Sequence, residues 1–104
     1  MPYHSEIPII VFATDLNDPK SVVVVPDEAY IMVEKQTPHW VSWQGKIIDV
    51  KFEDVLDKPE KPEAHKGHCK MMNTPVKRGS FKYTLSLRVN GNIYTADPQL
   101  GVGD

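Results

Sequence analysis

The densest collection of chemically capable side chains in the sequence is Ala64-His65-Lys66-Gly67-His68-Cys69-Lys70-Met71-Met72, which sets two imidazoles, one thiol and two thioethers within a single turn-rich stretch. Soft sulfur donors favour Cu(I), and imidazole with thiolate also suits Zn²⁺, so His65, His68, Cys69, Met71 and Met72 form a candidate soft-metal set. Gly67 would let the backbone turn so that these donors converge. His39, in Pro38-His39-Trp40, would add a further ligand if the stretch folds over that part of the molecule. The same residues have a plainer reading. The run matches no zinc-finger spacing, a methionine pair readily plugs the end of a core, and Cys69 can serve as a small buried hydrophobe with an inert thiol or as a redox or dimer-forming thiol.

Other chemistry is sparse. Trp40 and Trp43 have opposite parity, so one is expected in the core and the other near the surface. An exposed tryptophan beside Tyr30 or His39 would mark an interaction patch, whereas cover from a long loop would make both structural. No Gly-x-Ser-x-Gly elbow and no glycine-rich phosphate loop occurs, so no catalytic residue is assigned. The carboxylates Glu53, Asp54 and Asp57 lack the calcium-loop pattern. With 12 Lys plus Arg against 14 Asp plus Glu, the net charge of −2 provides no basic field for nucleic acid. Cys69 is the single cysteine, which excludes an internal disulfide. The longest apolar run, Ile7 to Ala13, is far short of the ~20 residues that span a bilayer. The opening Met1-Pro2-Tyr3-His4-Ser5-Glu6 lacks the features of a secretory signal, so the chain as given reads as cytoplasmic, with an exported mature form left open.

The elements that would position these residues are strands. Phe81, Tyr83, Leu85, Leu87 and Val89 alternate with Lys82, Thr84, Ser86 and Arg88, a strand with one buried face. Asn90-Gly91 then predicts a two-residue hairpin that pairs Val89 with Asn92, Leu87 with Tyr94 and Leu85 with Ala96. Asp97-Pro98 ends the return strand, and Leu100 to Val102 is expected as a short edge strand. Earlier, Ile7 to Ala13, Val22 to Val25, Ala29 to Glu34, Trp40 to Trp43 and Ile47 to Phe52 are rich in β-branched and aromatic residues and separated by turn formers. In the last of these, Ile48, Val50 and Phe52 are expected to face inward. No apolar stripe of helical period persists. At 104 residues the chain suits one domain, 1–104, with one long loop at about 53–79.

The order of a Val-rich strand, a Trp-containing strand, Ile48-x-Val50-x-Phe52, and then Gly79-x-Phe81-x-Tyr83-x-Leu85, closing on Tyr94-Thr95-Ala96-Asp97-Pro98 and Leu100-Gly101-Val102, resembles cupredoxin-like domains. The resemblance covers roughly Val22 to Val102 and is to small members lacking the copper site. It implies an all-β Greek-key β-sandwich, cupredoxin-like or immunoglobulin-like, of seven or eight strands. It also implies no type 1 copper, because the registers of the copper histidine and cysteine fall on Ile48 and Leu85, and the following loop holds Arg88 to Asn92. The function expected is a non-catalytic binding or interaction module using the long loop and the Trp40 end, with no cofactor. The alternative is a soft-metal protein binding Cu(I) or Zn²⁺ through the His65 to Met72 cluster. The partner would be a protein or small ligand, neither nucleic acid nor membrane, and the apolar Val22 to Val25 strand leaves monomer and homodimer both open.

Overall fold

The computed structural model describes residues 5–53, 67–71 and 73–104. These residues form nine strands and no helix, so no helix is long enough to cross a membrane. The strands are β1 (Ser5–Ala13), β2 (Val22–Val25), β3 (Glu28–Met32), β4 (Gln36–Val41), β5 (Lys46–Phe52), β6 (His68–Lys70), β7 (Gly79–Val89), β8 (Asn92–Ala96) and β9 (Gln99–Gly103). They make two mixed sheets packed as a β-sandwich. The first has the order β2-β1-β4-β6, and the second runs β3-β9-β7-β5 with β8 also against β7.

β7 organises the second sheet. Its alternation buries Phe81, Tyr83, Leu85, Leu87 and Val89 on one side. One edge pairs with β5 along most of its length. The other edge is shared, Gly79 to Lys82 pairing with β9 and Leu85 to Val89 with β8. The β7–β8 hairpin has the expected register, with Asn90 at φ 51° and Gly91 at φ 83°, the left-handed pair that a type I′ turn requires. In the first sheet β1 is central, antiparallel to β2 and parallel to β4. Its inward residues Ile9 and Val11 join Val24, Trp40, Cys69 and Met71 to close the core against the β7 face.

Three features differ from the sequence expectation. Ile48 does not face inward: the β5–β7 register shifts between Ile47 and Asp49, so Ile48 is the extra residue of a bulge and lies exposed, while Ile47 takes the core position. The last strand is not an edge. β9 lies between β7 and β3, which runs parallel to it. The strand count exceeds eight because the long connection contributes β6, paired with β4 as His39↔Lys70, Trp40↔Cys69 and Val41↔His68.

Candidate functional site

Strand parity in the first sheet sends Glu6, Pro8, Ile10 and Phe12 of β1, Val23 and Val25 of β2, His39 and Val41 of β4, and His68 and Lys70 of β6 to the outer face. Cross-strand register makes Val25, Ile10, Val41 and His68 one row across the four strands, with Val23 beside Phe12 above it and Pro8, His39 and Lys70 below. The face therefore has an apolar end and a polar end. At the apolar end Trp43, just past β4, is 83% exposed and lines a shallow recess with Ile10, Phe12 and Gln44. Gln44 fixes this corner: its side-chain amide accepts from Ala13 N at 2.7 Å and donates to Ala13 O at 3.1 Å, completing the backbone pairing at the end of β1.

At the polar end, His39 and His68 are diagonal neighbours on adjacent strands. His39 Nδ1 lies 2.8 Å from Glu6 Oε2, His39 Nε2 lies 3.1 Å from His68 Nδ1, and the rings meet edge to face at 71°. The carboxylate dictates the proton positions in the neutral pair. Glu6 can only accept, so His39 donates from Nδ1 and presents a lone pair at Nε2; His68 must then donate from Nδ1, which leaves its Nε2 as the open acceptor. Lys70 Nζ stands 3.9 Å from the other Glu6 oxygen. Burial holds the His39 pKa below its usual value, assisted by His68 and Lys70 and opposed by the attraction of Glu6.

The structure divides the described donors of the cluster, His68, Cys69 and Met71, between two faces. Alternation along β6 that sends His68 outward sends Cys69 inward, opposite Trp40, and Met71 is likewise buried in the core. On the outer face His68 meets a second imidazole, that of His39. His65 and Met72 lie outside the described residues. Among the described residues no three or more of His, Cys, Asp and Glu converge on one point.

The aromatic candidates also separate. Trp40 is fully buried and donates from Nε1 to Tyr83 Oη at 2.9 Å, inside a cluster with Phe52. Tyr30 is 59% exposed, but it lies on the other sheet, its ring laid over Gly101 and Gly103 of β9. Only Trp43 belongs to the apolar end. Sequence reasoning passed over Glu6, Phe12 and Gln44. Glu6 and Phe12 share the parity of Ile10, which is a legible signal; the return of Gln44 to Ala13 has none.

A search of protein-family models and of curated proteins finds no match to the chain.

Proposed function

We propose that the protein is a non-catalytic interaction module on a cupredoxin-like sandwich, and that its docking surface is the apolar end of the outer face of the first sheet. One observation carries this reading. From Ile7 onward β1, and all of β2, are apolar on both sides, as in strands covered on both faces, yet the described residues cover only their inner side. Phe12, Val23, Val25 and Trp43 are left exposed together, an arrangement that marks interaction sites more often than idle surface. By contrast β7, at the centre of the second sheet, turns Ser80, Lys82, Thr84, Ser86 and Arg88 outward.

The chemistry of the surface selects the partner. β2 is the end strand of its sheet and pairs, among the described strands, with β1 alone. An extended protein segment with apolar residues at alternate positions fits here, adding main-chain hydrogen bonds along β2 and covering Val23, Val25 and Phe12. A soft-metal function centred on the sulfurs has less support, since Cys69 and Met71 are buried in the core.

The test uses an array of eight-residue peptides alternating Val, Ile or Phe with polar residues, beside composition-matched scrambles. The full chain should bind alternating peptides over scrambles, shift the amide resonances of β1 and β2, and lose at least tenfold in affinity in the Phe12→Ser/Trp43→Ser variant. Concentration-dependent sedimentation that vanishes in that variant would identify the segment as a second copy of this chain. Equal binding of scrambled peptides, or binding unchanged by the variant, sinks the proposal.

A further inference from the structure

The polar end of the same face carries a second, independent site. We propose that His39 and His68 form a two-imidazole clamp for a borderline divalent cation of the Zn²⁺ or Cu²⁺ type, with Glu6 as its positioning residue. The spacing supports this. Two imidazole nitrogens bound at about 2.0–2.1 Å to one tetrahedral ion stand roughly 3.3–3.4 Å apart, and His39 Nε2 and His68 Nδ1 already stand 3.1 Å apart. A cation replaces the shared proton after a small rotation of each ring.

Behind the clamp, Glu6 accepts from the remaining N–H of His39 at 2.8 Å. Metal-binding histidines almost always donate their second N–H to such a partner, which fixes the tautomer and strengthens the ligating nitrogen. The His39 side chain is 26% exposed, so an ion reaches the pair from solvent and water completes its coordination. The ion class follows from the donors. Imidazole suits Zn²⁺ and Cu²⁺, whereas Cu(I) would want the sulfurs of Cys69 and Met71, which face the core.

Proton bookkeeping makes the site recognisable. In the free pair the His68 proton sits on Nδ1, hydrogen-bonded to His39; with the cation on Nδ1 that proton moves to His68 Nε2. Both rings stay neutral and none is released. Lys70, whose charge leans on Glu6, opposes the cation, so its removal tightens binding.

The metal-stripped full chain would be titrated with Zn²⁺ and with Cu²⁺ at pH 7.5 by calorimetry and native mass spectrometry, beside His39→Asn, His68→Asn, Glu6→Gln and Lys70→Gln. One ion per chain is expected, with affinity at least tenfold lower in either histidine variant, about 10–100-fold lower in Glu6→Gln, and higher in Lys70→Gln. Imidazole ¹⁵N spectra of the unmutated protein, which do not depend on any variant folding, should show the His68 proton passing from Nδ1 to Nε2 as Zn²⁺ is added. Absence of uptake, uptake retained in His68→Asn, or a His68 proton that stays on Nδ1 in the loaded protein would overturn the proposal.

Discussion

Trp40 and Tyr83 come from different sheets and meet through one hydrogen bond in a core that offers few other polar partners. Tyr83→Phe leaves the Trp40 N–H buried without its acceptor, at a cost of about 1–3 kcal/mol. Chemical denaturation should show that loss, and Trp40→Phe/Tyr83→Phe should cost less than the sum of the single changes, because the second removes an orphan created by the first. Burial, partly offset by the Trp40 hydrogen bond and reinforced by the charge of Asp27, pushes the Tyr83 pKa up to about 12. The fold thus holds the neutral phenol, and stability should decline as pH rises from about 10, where an unfolded tyrosine ionises, toward 12, with Tyr83 ionising late in the absorbance titration. His39 has the opposite sign. Its lowered pKa means that the unfolded chain takes up a proton first, so in chelated buffer stability should fall as pH drops below the usual imidazole value of about 6.5. His39→Asn should flatten that limb of the stability–pH curve, and an unchanged limb would place the acid sensitivity elsewhere.

At the scale of elements, β6 decides whether the imidazoles meet. It is preceded by Gly67, whose φ is 58° and whose carbonyl accepts from Ser42 N at 2.7 Å. A Cβ there would run into the backbone oxygens of Ser42 and Gly45, so this glycine both turns the chain and lets it lie against the β4–β5 turn. Gly67→Val should cost at least about 1–3 kcal/mol in backbone strain and release the β4–β6 amides to hydrogen exchange, and the same variant should no longer hold His39 and His68 within hydrogen-bond distance. Protection unchanged in Gly67→Val would mean that pairing alone holds β6. The strand itself is legible in hindsight. His68-Cys69-Lys70-Met71 alternates polar and apolar, but at this length the pattern is masked by donor chemistry that invites the residues to be taken together. The period that hides the strand is also what separates His68 from Cys69. The β7–β8 hairpin, with its long alternation and Asn90-Gly91 turn, has no such competitor and is legible to the register. Ile48 is misread for a different reason, since a bulge changes parity without changing composition.

For the molecule as a whole, the sandwich is legible because most strands carry inward apolar residues at alternate positions. What the sequence does not disclose is which strands the described residues cover on one side only. Ile7 to Ala13 and Val22 to Val25 are apolar at successive positions, so alternation cannot announce a face, and only the assembled sheet shows Ile10, Phe12, Val23 and Val25 turned away from the core. Inward and outward residues of β1 and β2 should therefore respond differently to substitution. Ile9→Ala opens space in the core and should cost about 2–5 kcal/mol. Phe12→Ser and Val23→Thr, on the outer side, should each stay within roughly 1 kcal/mol of the parent while reducing peptide binding or self-association. Urea midpoints for the three variants, read beside sedimentation at several concentrations, separate the two kinds of apolar residue. If the outward substitutions cost as much as Ile9→Ala at concentrations where the chain is monomeric, those side chains serve the fold itself, and the case for a partner on this sheet falls with them.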